Sequence, residues 1–280
     1  MIKLIATDMD GTFLDNQGAF DKIRFERVLS ALETHDIRFV VASGNGMGRL
    51  LKIFEGFENR LIFVAENGSH LYQNGQTLYR KPLESSLIQE TLNYLEDRVK
   101  DYCFMLSNDE WIYMAEGANQ PFDHQLIIAK EQMEAFLSRI RYVPDLSDLL
   151  AQGSFYKMGM WIPEEQLGEV VTAFNRFFAG KLVAVTSGYG SIDILPEGIH
   201  KAWGLKRVLD HLNVNPSQVM AFGDSDNDKE MLELVGHSYA VENATERIKS
   251  VAKHQIASHD TGAVLTTIEA YLVAVEREKK

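Results

Sequence analysis

The chain alternates short apolar runs with amphipathic stretches, and several of the apolar runs end on polar residues. The first run, Ile2–Thr7, stops at Asp8-Met9-Asp10-Gly11-Thr12. Four to six apolar residues bounded by a turn signal predict a buried strand. Phe25, Val28, Leu29 and Leu32 then recur at helical spacing. A second run, residues 37–42, ends in Ser43-Gly44-Asn45-Gly46, and a helix around residues 49–57 leads to a third, 61–65, that ends in Glu66-Asn67-Gly68. Strand–helix–strand alternation predicts a parallel sheet covered by helices. Asn74-Gly75 between β-prone runs predicts a hairpin.

From about Glu84 the character changes. Helical patterns at 86–99, 125–137 and 164–178 alternate with a hairpin at 102–114 and strands at 157–162 and 181–186. The first pattern resumes at Ile192-Asp193-Ile194-Leu195, followed by His200-Lys201 and a helix to about His211. The apolar run 219–222 then ends in Gly223-Asp224-Ser225-Asp226-Asn227-Asp228. Short strands at 238–241 and 255–257 and a helix from about Gly262 close the chain. The predicted organisation is an α/β fold: a Rossmann-like parallel-sheet core from residues 1–83 and 188–280, with an α+β cap domain, 84–187, inserted between. Pro82 and Ser187-Gly188 are the expected hinges.

Composition narrows the function classes. With 280 residues, 45% hydrophobic and 24% charged, the chain is long enough for two cores. A formal net charge of −12 argues against nucleic-acid or anionic-lipid partners, which need dense Lys and Arg. No stretch approaches the ~20 apolar residues of a membrane span, and Asp8 breaks the opening run too early for a signal peptide. The single cysteine, Cys103, forms no internal disulfide and suits a reducing compartment. A cytoplasmic protein with a small-molecule partner is expected; oligomeric state stays open.

In open parallel sheets ligands bind beyond the carboxyl ends of the strands, so Asp8, Asp10, Ser43, Asn67 and Asp224 to Asp228 converge, and Lys201 joins them from a helix start. Asp-x-Asp at a strand end can simply cap a turn, Ser43 can simply cap a helix, and most lysines are solvated. Together they read differently. Asp8, Asp224 and an oxygen from the Asp10 region match the few hard ligands that Mg²⁺ prefers. Asp8 could then attack phosphorus, and Asp10 could protonate the leaving alcohol and later deprotonate water. Ser43 with the Gly44 turn makes a phosphate cradle. The acids between Asp224 and Asp228 would repel one another without a cation, and they lack the spacing of a calcium loop.

These residues, in order, resemble the four motifs of the haloacid dehalogenase-like hydrolases: Asp8-Met9-Asp10-Gly11-Thr12, Ser43, Lys201 and Gly223-Asp224-x-x-Asn227-Asp228. Glu66-Asn67-Gly68 and the insertion resemble the Cof-type subfamily, and residues 41–45, 186–190 and 195–202 resemble the bacterial YbiV-type sugar phosphatases. The resemblance implies a Mg²⁺-dependent phosphatase acting on small phosphomonoesters, sugar phosphates first, through an aspartyl-phosphate. It implies Asp8 as nucleophile, Asp10 as acid/base, Ser43, Gly44, Lys201 and Asn227 at the phosphate, and Asp8, Asp10 and Asp224 at the metal. Asp228 and Asn67 would support these from behind. Asn45, Lys157, Ser187 and Tyr189 are candidate substrate contacts, although Asn45 stands where many relatives carry Arg. Alternative readings are a phosphatase of a flavin-pathway or nucleotide intermediate, and a Mg²⁺-dependent phosphate sensor with vestigial chemistry.

Overall fold

The structure, a computed structural model, describes residues 1–118, 134, 136–186 and 190–278. The chain divides into two compact units, residues 1–79 with 200–280 and residues 80–199. The first unit contains strands β1 (Leu4–Thr7), β2 (Arg38–Ala42), β3 (Ile62–Ala65), β4 (His70–Gln73) and β5 (Gln76–Arg80). From the far end of the chain come β12 (Val219–Gly223), β13 (His237–Val241) and β14 (His254–Ile256). They form one sheet in the order β14-β13-β12-β1-β2-β3-β4-β5. All pairings from β14 to β3 are parallel, and β4 returns antiparallel to β3.

Helices cover both faces of this sheet, which is why its central strands are apolar throughout and not alternating. On one face Ile5, Phe39, Val41 and Phe63 pack against α1 (Lys22–Thr34), α2 (Met47–Ile53) and α9 (Ala263–Glu278). On the other, Leu4, Ala6, Val40 and Ala42 meet α6 (Lys201–Leu212), α7 (Lys229–Leu234) and α8 (Glu246–Val251). Caps set the helix starts: the Asp21 carboxylate accepts from Arg24 N at 2.9 Å, and His200 Nδ1 accepts from Trp203 N at 3.2 Å. The register then fixes the functional edge. Thr7 lies opposite both Phe222 and Val41, so Asp8, Ser43 and Asp224 leave the sheet side by side.

The second unit has its own sheet, in the order β10-β11-β9-β6-β7-β8. Its strands are β6 (Met105–Ser107), β7 (Ile112–Ala115), β8 (Ile140–Val143), β9 (Lys157–Trp161), β10 (Leu182–Thr186) and β11 (Ser191–Pro196). Its helices include α4 (Arg98–Asp101) and, supplying Ile88, Leu92, Leu95 and Phe174 to a separate apolar core, α3 (Ser85–Leu95) and α5 (Glu164–Phe177). One expectation is corrected here. Residues 192–195 are not a return to the first sheet: β11 pairs antiparallel with β10 and β9, and the second unit runs to Ile199. An apolar run that is buried on both faces looks the same in either sheet. Only its pairing partners distinguish them. Of the helix expected at 125–137, only residues 134, 136 and 137 are described.

Candidate active site

The centre of the site is a buried cation between two carboxylates. Lys201, the first residue of α6, is fully buried, and its Nζ donates to Asp8 Oδ1 at 2.6 Å and to Asp228 Oδ1 at 2.7 Å. Burial alone would favour the neutral amine, but the two flanking carboxylates outweigh it and hold the ammonium protonated. Asp8 itself is pushed well above the usual carboxylate range, by burial first and by the Asp228 charge second, against the pull of Lys201.

Lys201 owes its position to a contact that leaves no room for side chains. Gly68, with φ +101°, lies against the start of α6, where a Cβ would come within 2.3 Å of the His200 carbonyl oxygen. The contact is mutual, since a Cβ on Gly204 would come within 2.7 Å of Gly68 Cα and 2.6 Å of Val64 Cγ1. Just before Gly68, Asn67 adopts left-handed backbone (φ 52°). Its N–H donates to the Ser43 carbonyl at 3.0 Å, and its Oδ1 accepts from Asn227 Nδ2 at 3.0 Å. Asn227 Oδ1 is buried with no partner among the described residues.

Asp228 organises the acidic loop. Its Oδ2 accepts from the backbone N–H groups of Asp224 (3.0 Å) and Ser225 (3.2 Å), and the loop passes so closely that a Cβ on Gly223 would come within 2.6 Å of Asp228 Cβ. The Asp224 carboxylate accepts from Thr12 Oγ1 at 2.8 Å and Ser225 Oγ at 2.7 Å. Burial, then the Asp228 charge, pushes Asp224 up to about 6. Gly11, at φ +76°, allows the opening loop to approach, since a Cβ there would meet Asp224 Oδ2 at 2.8 Å. Asn243 Nδ2 donates to the Gly11 carbonyl at 2.8 Å and ties that turn to the segment after β13.

Oxygen atoms of Asp8, Asp224 and Asp228 lie within 4.8 Å of one another. Asp10 is expected at the metal with Asp8 and Asp224, but its carboxylate faces elsewhere. Arg49 clamps it with two bonds, Nη2 to Oδ1 at 2.7 Å and Nη1 to Oδ2 at 2.9 Å, and Asn45 Nδ2 adds a third to Oδ2 at 2.7 Å. Burial acts to raise Asp10, yet the guanidinium and these bonds hold it below the usual carboxylate range. Asn45 Nδ2 also donates to Ser43 Oγ at 2.9 Å, which makes Asn45 a link between the Ser43 and Asp10 side chains. Ser43 Oγ accepts a further bond from Asn45 N at 3.1 Å, and its own O–H has no acceptor among the described residues. Gly44 is buried in the same turn.

Sequence reasoning missed Arg49. Its signal was available: it lies one helical turn after Asn45, where i and i+4 side chains meet, in a site short of cations. The helix expected from residue 49 in fact begins at Met47, which puts Arg49 in its first turn. Lys157, in the second unit, is bound to the buried Asp193 at 2.9 Å; Ser187 and Tyr189 lie outside the described residues.

A divalent metal fits this donor set. Four carboxylates (Asp8, Asp10, Asp224, Asp228) face two cations (Lys201, Arg49), and the three oxygen ligands of the cluster are of the hard type that Mg²⁺ takes. A charge of +2 would balance the excess.

Comparison with known proteins gives the family. The haloacid dehalogenase-like hydrolase pattern matches residues 5–268. The 5-amino-6-(5-phospho-D-ribitylamino)uracil phosphatase YbjI of Escherichia coli is 33% identical over 273 residues, 97% of this chain and 96% of that protein. The HMP-PP phosphatase of Serratia proteamaculans is 29% identical over 265 residues, 92% of this chain and 91% of that protein. The crystal structure of SMU.1108c from Streptococcus mutans superposes with a TM-score of 0.87 at 34% identity, covering 98% of this chain and all of that one (100%). The parallel-sheet core, the buried Lys201 between carboxylates and these matches along nearly the whole length place the chain in the haloacid dehalogenase-like hydrolase family, Cof-type, among relatives named as phosphatases.

Proposed function

We propose that this protein is a Mg²⁺-dependent phosphatase of small phosphomonoesters that works through an aspartyl-phosphate on Asp8, with sugar or sugar-alcohol phosphates as its substrates. The observation that carries the reading is the Lys201 bridge. It fixes Asp8 Oδ1 and leaves Asp8 Oδ2 with no partner among the described residues, at the carboxyl edge of the sheet. Asp8 Oδ2 attacks phosphorus, and the bond from phosphorus to the ester oxygen breaks. Asp10, ionised at rest in the Arg49 fork, takes up a proton from solvent as substrate binds, gives it to the leaving oxygen and then takes one from the water that cleaves the acyl phosphate. Inorganic phosphate leaves, and Asp8 is restored. Ser43, with its free O–H, and the Gly44 turn receive the phosphoryl oxygens, with Lys201 as the adjacent charge.

Asp8, Asp224 and Asp228 supply the oxygens nearest one another for the metal, and an oxygen from Asp10 would have to be its main-chain carbonyl, because its carboxylate is taken. Bound there, Mg²⁺ would offset the repulsion between an anionic nucleophile and an anionic substrate. A specific comparison supports the alternative of a flavin-pathway intermediate beside the sugar phosphates: the E. coli relative is named as a phosphatase of 5-amino-6-(5-phospho-D-ribitylamino)uracil, a phosphorylated ribityl compound. The test is phosphate release by purified protein from a panel of sugar, sugar-alcohol, nucleotide and aryl phosphates with Mg²⁺, beside Asp8→Asn. Turnover confined to nucleotides would overturn the substrate class, and turnover by Asp8→Asn would overturn the mechanism.

A further inference from the structure

The Arg49 guanidinium sits at the site with a task that the reaction above does not assign. Three of its five N–H donors are engaged: Nη2 with Asp10 Oδ1 at 2.7 Å, and Nη1 with Asp10 Oδ2 at 2.9 Å and Asn45 Oδ1 at 2.5 Å. Its position is fixed from below, because Gly46 caps the start of α2 and the Arg49 N–H donates to the Gly46 carbonyl at 3.1 Å. Asn45 closes the ring by donating to Asp10 Oδ2 and Ser43 Oγ from the same nitrogen, at 2.7 and 2.9 Å. The side chains of Arg49 and Asp10 are 30% and 34% exposed. A single-point ion pair of that exposure would contribute little to stability, and a two-bond fork with a third bond across it is more than charge balance requires.

We infer that Arg49, braced by Asn45, is a positioning residue that holds the Asp10 carboxylate in register with Asp8 and the Ser43 turn. The inference rests on the proposed role of Asp10 as proton carrier. Asp10 Oδ1 has one partner and Oδ2 has two, so Oδ1 is the oxygen released at lower cost to meet the leaving group. A lysine could match the charge but cannot make two parallel bonds to one carboxylate.

Arg49→Lys, Arg49→Gln and Asn45→Ala, assayed as full-length protein with Mg²⁺ on the best panel substrate, test this. A misplacement near 1 Å costs up to about 100-fold. Arg49→Lys and Arg49→Gln are therefore both expected to lose roughly 10- to 100-fold in kcat, with KM and the inhibition constant of inorganic phosphate within about threefold of wild type. Asn45→Ala should lose kcat in the same sense by a smaller factor, and it keeps the test open if an Arg49 variant does not fold. Near-normal kcat in Arg49→Lys would overturn the inference, because charge would then suffice. A raised KM with unchanged kcat would overturn it in favour of a direct substrate contact. The same plates separate the two levels of the argument. If Asp8→Asn is inactive while the Arg49 variants turn over normally, only the positioning role fails; if wild type has no turnover, the function proposed above fails and this role with it.

Discussion

Gly204→Ala probes the contact that positions Lys201. Gly204 lies in the first turn of α6, three residues after Lys201, and a Cβ there would meet Val64 Cγ1 at 2.6 Å, Gly68 Cα at 2.7 Å and Gly68 O at 2.9 Å. Ordinary carbon contacts need about 3.5 Å, so α6 and the 66–68 turn must separate by roughly 0.6–0.9 Å. Two of the three obstacles are backbone and cannot rotate away. Such overpacking costs about 1–3 kcal/mol, while Ala in place of Gly inside a helix returns up to about 1 kcal/mol. The net loss of stability is therefore modest, roughly 0–2 kcal/mol, a shift of a few degrees in Tm for a protein of this size. Activity should fall much further. The displacement is passed to Lys201 and to Asn67, whose N–H and Oδ1 hold Ser43 and Asn227, and a shift of that size costs on the order of 10- to 100-fold in rate. The assay pairs phosphate release with thermal melting. Gly168→Ala on α5, where a Cβ meets nothing within 4 Å, is the control, expected to keep full activity with equal or slightly higher Tm. Wild-type kcat in Gly204→Ala would refute the reasoning, since Lys201 would then tolerate a shift of its helix.

Asp8→Asn should abolish hydrolysis of an aryl phosphate, and a chelator should do the same reversibly, with Mg²⁺ restoring phosphate release; near-normal rates in either case would sink the mechanism. Burial pushes the Cys103 thiol up to about 12 and leaves it no exposed surface, so a chromogenic thiol reagent at pH 8 should not label native protein and should label one thiol per chain after unfolding. Glu269 is bound by Arg24 through Nη2 at 2.6 Å and Nε at 3.0 Å, and these bonds hold its carboxyl below the usual range. A depressed carboxyl stabilises the fold above its ordinary pKa and loses that contribution as pH falls through the folded value. Arg24→Gln should accordingly lower Tm slightly at pH 7, by an amount that shrinks as the pH falls below the ordinary glutamate value of about 4.3; a loss that does not shrink would contradict the pairing.

Particular residues show how far the amino-acid order reaches. Asp8, Ser43 and Asp224 each follow a mainly apolar strand, and parallel strands in register must deliver their carboxyl ends to one edge, so their convergence was legible in the sequence. Asn74 and Gly75 likewise make the β4–β5 turn with positive φ, 51° and 77°, as their residue types require. Lys201 was legible as a helix start after a polar turn. Its engagement with Asp228 as well as Asp8 was not, because that depends on where a loop 27 residues away folds back.

What the sequence by itself determined is local and periodic: which runs are strands, which faces are apolar, where turns must fall, and that too many carboxylates gather without a counter-charge. What only the tertiary structure decided is pairing. Ser191–Pro196 joins the second sheet and not the first because its ladder partners are β9 and β10, and burial on both faces removes the alternation that would have marked it. Asp10 turns from the acidic cluster to Arg49, and Gly68 and Gly204 are required for the contact of two backbones. The Asp10–Arg49 and Gly68–Gly204 contacts depend on segments distant in sequence brought within about 3 Å, and all three rest on short-range forces that carry no periodic trace along the chain.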